Sequence, residues 1–339
     1  MIPMIKQDAR SGLALASGLA LACAAVLAAA VLALAAACAD PDSGDSRQAS
    51  GEVGASAGAD RSSLLVYTVN YPLAFFAERI GGDLVQAEFP APPDVDPAFW
   101  SPDPEMVAAY QSADLILLNG AGYASWTDRV SLASSRLVVT TEGVADRYLV
   151  VEDAVTHSHG PEGEHAHGTV AFTTWLDPTI AVEQARAIRD AFVHARPLAE
   201  VSFGEGFDAL EADLLALDVR LSQIVAARPE QPLLASHPVY QYLAARYGLD
   251  LRSIHFEPDE SPSPAAWRDL QAMLEERPAD WMLWEAEPLP ETAARLRELG
   301  VESVVFSPAG NRPADSDYLS VMDANASRLA ALYRGMPER

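Results

Sequence analysis

A chain of 339 residues with 50% hydrophobic content can bury two cores, so two lobes are the natural expectation. Its formal net charge of −25 argues against nucleic acid as a partner, because phosphate binding needs a basic surface. Both cysteines, Cys23 and Cys38, stand near the N-terminus, which leaves the rest of the chain without a disulfide, a thiolate metal site or a cysteine nucleophile.

Residues 1–38 read as an export segment, with Lys6 and Arg10 ahead of an uncharged Ala/Leu/Val run from Leu13 to Ala37. The run could span a bilayer if left uncleaved. It ends in Leu34-Ala35-Ala36-Ala37-Cys38, which resembles a bacterial lipoprotein signal with Cys38 as the lipidated residue, although Leu34 stands one position further from the cysteine than usual. A cleaved export signal and an uncleaved anchor are the alternatives. All three put the body outside the cytoplasm, in the periplasm or at the cell surface. Residues 39–62, rich in Gly, Ser, Ala and Asp, cannot bury enough surface to fold and read as a flexible tether.

Residues 63–155 read as a first α/β lobe. LLVYTV from Leu64 is a buried strand, Pro72 to Ile80 a helix closed by Gly81-Gly82, and Leu84 to Phe89 a second strand. A Pro-rich loop carries Asp94, Asp96 and Trp100. Then come a helix from Glu105 to Gln111, a strand from Asp114 to Leu118, a helix from Trp126 to Leu132 and a strand from Leu137 to Thr140. Nearly all-apolar strands alternating with helices indicate a parallel sheet covered on both faces.

Residues 156–172 hold His157, His159, His165 and His167, four of the seven histidines. Gly160, Pro161, Gly163 and Gly168 punctuate the segment, so it reads as an exposed loop, neither helix nor strand. Imidazole is the commonest protein ligand for zinc, which makes this loop a candidate for metal capture. Residues 173–228 form a helical connector in two stretches, 178–195 and 198–227, broken near Arg196-Pro197. Residues 229–339 repeat the strand–helix alternation as a second α/β lobe. Ligands of open α/β sheets sit at the carboxyl ends of strands, which selects loops at 90–103, 119–126, 236–238, 255–261, 285–288 and 307–313.

Four segments resemble the solute-binding proteins of zinc and manganese ABC importers: YTVNYPLAFFAERIGGD, DPAFWSPDPEMVAAYQSADLILLNGAGYASW, TWLDP and ASHPVYQYLAARYGL. A His-rich loop just before the WLDP motif also resembles the zinc branch. The resemblance implies a two-lobed periplasmic-binding-protein fold, each lobe a parallel sheet flanked by helices, joined by a long backbone helix. It further implies an extracytoplasmic monomer that carries a divalent metal, Zn2+ or alternatively Mn2+, to an ABC permease. The family's ligand positions fall on Ala98, Thr173, His237 and, near the end, Ser307-Pro308, so His237 alone keeps a ligating side chain.

One imidazole cannot hold Zn2+ tightly. Either the loop histidines replace the lost pair, or neighbours among Asp94, Asp96, His255, Glu257, Asp259, Glu260, Glu285 and Glu287 do so, with Glu285 the favoured acid. The remaining readings are a degenerate cleft for another solute, walled by Trp100, Trp175 and Trp284, and a surface adhesion-type lipoprotein. No G-x-S-x-G, P-loop, G-x-G-x-x-G or H-E-x-x-H is present, and Ser236-His237 lacks a third partner, so catalysis is not expected.

Overall fold

The computed structural model describes residues 63–151, 156–158, 164–166 and 170–335. The export segment with Cys38, the tether, His159 and His167 lie outside the described residues. In the first sheet β1 (Leu64–Thr68), β2 (Val85–Glu88), β3 (Leu115–Leu118) and β4 (Leu137–Val139) run parallel in the order β2-β1-β3-β4. Helices α1 (Tyr71–Gly81) and α2 (Pro104–Ser112) link its strands. The Asn70 side chain caps α1 by accepting from Leu73 N–H at 3.1 Å, and Pro72 fits the first turn, where no intrahelical donor is needed. Gly82 ends the helix at φ 48°, a conformation that costs glycine little.

The helix expected from Trp126 to Leu132 is instead a short 3-10 turn, Ser125–Arg129. Ala124 enters it in the left-handed region at φ 55°, and Val130 leaves it extended, so the stretch is too short to propagate an α-helix. Burial of Trp126 edge-on against Tyr110, 4.9 Å between ring centroids, fixes the turn in its place.

The His-rich segment also departs from expectation. It contains two short antiparallel strands, β5 (Thr156–Ser158) and β6 (Glu164–Ala166), with His157 directly opposite His165. The Gly and Pro residues read as loop punctuation are equally the residues that let a chain double back into a hairpin.

The connector is α3 (Pro178–Ala195) and α4 (Glu200–Ala226), with the break at Arg196-Pro197 where it was expected. The second sheet comprises β7 (Pro232–Ala235), β8 (Asp250–Ser253), β9 (Trp281–Trp284) and β10 (Glu302–Val305), parallel in the order β10-β9-β7-β8. Between its strands run α5 (Gln241–Tyr247), α6 (Pro264–Glu276) and α7 (Pro290–Glu298), and α8 (Tyr318–Gly335) closes the chain.

One core runs through both lobes. Val66, Phe76 and Ile116 of the first belong to the same buried cluster as Leu233, Leu283 and Phe306 of the second, with Ile188, Phe203, Leu210 and Leu214 of the connector between them. Separating the lobes widely would expose this shared surface, so the fold favours small movements over wide hinge opening. A separate outer core packs the far face of the second sheet against α6 and α7 through Phe256, Trp267, Leu270, Trp284 and Leu296. Trp284, read from the sequence as a cleft wall, therefore belongs to that outer core.

A charged bridge ties α5 to α4. Arg246 donates to both Asp218 oxygens at 2.8 and 2.6 Å, and Tyr247 Oη donates to Asp218 at 2.9 Å. Burial opposes the Asp218 charge, but the Arg246 and Tyr247 hydrogen bonds prevail and hold its carboxyl below the usual range. A group with a lowered folded-state pKa stabilises the fold above its unfolded pKa and loses that contribution as pH falls through the folded value. Asp218→Ala should cost about 2–3 kcal/mol in urea unfolding at neutral pH, with the gap to the parent narrowing below about pH 4.

Candidate metal-binding cleft

The donors come from loops at the carboxyl ends of strands. β7 runs into Ser236-His237, β8 into His255 and Glu257, and β9 into Glu285, while the loop after β2 carries Asp96. Ser236 N–H donates to Leu283 O at 2.8 Å and Phe256 N–H to Ser236 O at 2.7 Å, which pins the three strand ends side by side. Pro238 and Val239 turn the chain after His237, and α5 begins at Gln241. His237 is buried, with Nδ1 3.4 Å from Glu257 Oε1. Its ring meets the half-buried His255 ring edge-on, 5.4 Å between centroids at 88°.

Charge is concentrated here. Burial, then the carboxylates of Asp96 and Glu257, push the Glu285 carboxyl up to about 8. Glu285 is half-buried. Tyr123 and Tyr240 are buried nearby. Burial raises both phenols, with Asp96 adding to the first and Glu285 to the second. Three mutually repelling carboxyl groups beside two imidazoles suit a divalent cation, whose charge would relieve the repulsion. Among the described residues no three of His, Cys, Asp and Glu are arranged to hold a metal ion in this conformation.

The other positions where the resemblance implied ligands hold side chains and backbone groups in structural contacts. Ala98 is buried, and its N–H donates to Asp96 Oδ1 at 2.9 Å. Thr173 is buried with its hydroxyl donating to Val239 O, just beyond His237. Pro308 O accepts the Trp175 indole N–H at 2.7 Å, so Trp175 is a buried link between elements rather than an open wall. Trp100 is half-buried and packs edge-on against Trp126 at 6.5 Å. Asp94, Asp96, Asp259, Glu260 and Glu287 are all exposed, and of these five only Asp96 raises the Glu285 carboxyl. His157 and His165 are register partners in the β5–β6 hairpin.

Sequence reasoning missed the polar support behind the cleft. Asn119 Oδ1 accepts from Asn70 Nδ2 at 3.2 Å, Thr174 Oγ1 at 3.2 Å and Gln184 Nε2 at 3.1 Å, joining the ends of β1 and β3 to the WLDP turn. Its signal was present: an amide ending the apolar strand LILL must find partners wherever it is buried.

The family model described as "Zinc-uptake complex component A periplasmic" matches residues 66–332. The zinc-binding lipoprotein AdcA of Streptococcus pneumoniae serotype 4 is 25% identical over 277 residues, covering 78% of this chain. The chain spans only 55% of that relative's length. The high-affinity zinc uptake system protein ZnuA of Bacillus subtilis is 26% identical over 293 residues, covering 81% of this chain and 89% of the relative. Among solved structures, the metal-dependent lipoprotein YcdH from Bacillus subtilis superposes with a TM-score of 0.68 at 21% identity, covering 79% of this chain and 98% of the other.

Proposed function

The chain belongs to the ZnuA family of periplasmic zinc-uptake components, and from that premise we propose that it captures a divalent transition metal, zinc foremost, between its lobes. It then delivers the metal to an ABC permease, acting outside the cytoplasm as a carrier rather than an enzyme. The observation that carries this reading is the crowding of Asp96 and Glu257 on Glu285, next to the His237–His255 pair. The metal would be held by the imidazoles of His237 and His255 and by the carboxylates of Glu257, Glu285 and Asp96. Four of these stand on the second lobe and Asp96 on the first, so assembling the shell takes rearrangement of the four second-lobe side chains together with a small closure that advances Asp96. We assign residues 63–155 and 229–339 to the lobes, 173–228 to the connector, and Cys38 to a lipid anchor that keeps the carrier at the membrane as a monomer. No helix among the described residues is long and apolar enough to cross a membrane.

The test is a calorimetric zinc titration, in which one tight site per chain is expected. A chain that binds zinc only weakly would sink the reading and direct attention to another solute. The His hairpin serves as a collector that feeds this site. Deleting residues 157–167 is expected to remove weak additional zinc binding and to lower apparent affinity by about tenfold or less, leaving one tight site. Unchanged affinity and stoichiometry in that variant would remove the hairpin from the pathway.

A further inference from the structure

The loop at 307–313 carries no His or carboxylate, although the resemblance places a late metal ligand there. Its contacts give it a different task. Trp175 Nε1 donates to Pro308 O at 2.7 Å, and Tyr71 N–H, at the start of α1, donates to Gly310 O at 3.0 Å. Asn311 Nδ2 then donates to two backbone carbonyls of the loop before Asp96, Pro92 O at 2.7 Å and Val95 O at 2.9 Å. Asn311 Oδ1 accepts the Arg312 N–H at 2.7 Å, so the orientation of the carboxamide is determined by all its partners. Beyond it, Arg312 pairs with Glu78 at 3.1 Å and lies over the Tyr71 ring at 4.8 Å. Ala309 sits in the left-handed region at φ 54°, which costs a residue with a side chain about 1 kcal/mol. A short loop held at three points against the first lobe tolerates that strain.

We propose that Asn311 is a positioning residue that straps the Asp96 loop to the segment leaving the second sheet, and so sets where the first lobe's only proposed metal donor stands. Apolar packing holds the far side of the Asp96 loop, where Ala98 is buried in the shared core, Phe99 meets Phe172 and Trp100 meets Trp126, while Asn311 holds its 92–95 side. The loop's internal bonds, Val95 N–H to Pro92 O and the Phe99 and Trp100 N–H groups to Asp96 O, shape the turn without anchoring it to the fold. The strap makes the loop that lost its ligand responsible for the geometry of another. The metal arm of this proposal rests on the cleft reading above, and the backbone arm does not.

The experiment compares the parent with Asn311→Ala and Asn311→Asp, the latter similar in size but unable to donate. Without metal, amide hydrogen exchange at residues 95–100 is expected to quicken about tenfold in both variants, while exchange in β1 and β7 stays within about twofold. Zinc release, followed by stopped-flow transfer to a chelator, is expected to quicken about tenfold with little change in the apo melting temperature. Unchanged exchange at 95–100 overturns the strap. Faster exchange with unchanged zinc release in a protein that binds zinc overturns the positioning role. If the parent itself binds no zinc, the cleft reading fails and the exchange result alone decides whether the strap exists.

Discussion

Replacing His237 with alanine is expected to weaken zinc binding on the order of 100-fold, read by calorimetry against the parent. A tight divalent site built from four or five donors loses a comparable share of its binding free energy with each one removed, and His237 occupies the centre of this set. It is buried, it lies 3.4 Å from Glu257, and its ring abuts His255. Its removal would leave one imidazole among carboxylates, a harder donor set that discriminates less in favour of zinc. His255→Ala should weaken binding less, because His255 is half-buried and water could take its coordination position. An unchanged affinity in His237→Ala would place the metal elsewhere and reduce the cleft cluster to a structural feature.

The architecture was legible because its strands are apolar runs. LILL and WMLW alternate with helices whose ends are marked by Pro and Gly, a pattern that reads as parallel sheets without any tertiary information. The face of each residue was legible only where the two-residue period was applied strictly. In β9, Leu283 belongs to the shared core, whereas Met282 and Trp284 belong to the outer core. The alternation that puts Trp284 outside also turns Glu285 inward, so placing Trp284 in the cleft and favouring Glu285 there were incompatible readings of one strand end. Loops offer no such period. Nothing in HFEPDE distinguishes Glu257 from Asp259 or Glu260; only the folded turn brings Glu257 to His237 and leaves the other two in water. Asn311 was illegible for a related reason, since its partners at 92 and 95 are more than two hundred residues away in the chain.

Metal binding should release a proton from Glu285 at neutral pH, and its affinity should rise with pH until about 8. The Glu285 carboxyl is pushed from its ordinary 4.5 up to about 8 by burial and by the Asp96 and Glu257 charges, so the metal-free protein holds that proton at pH 7. A cation coordinated by the carboxylate must displace it, so below pH 8 this one group contributes up to about a tenfold gain in affinity per pH unit. The same shift acts on folding with the opposite sign from that at Asp218. Between 4.5 and 8 the folded chain holds a proton that the unfolded chain gives up, so stability is greatest at low pH and declines as pH rises through this window. With a discount for partial solvent contact, the decline is about 2–4 kcal/mol. Glu285→Gln should therefore be more stable than the parent at pH 8.5 and nearly equal to it at pH 5, while binding zinc more weakly at both. Urea titrations at the two pH values test the first part, and calorimetry in two buffers of different ionisation enthalpy counts the released proton. A parent whose stability does not fall across this range, and whose zinc binding releases no more protons than that of Glu285→Gln, would mean that Glu285 is already ionised in the metal-free cleft.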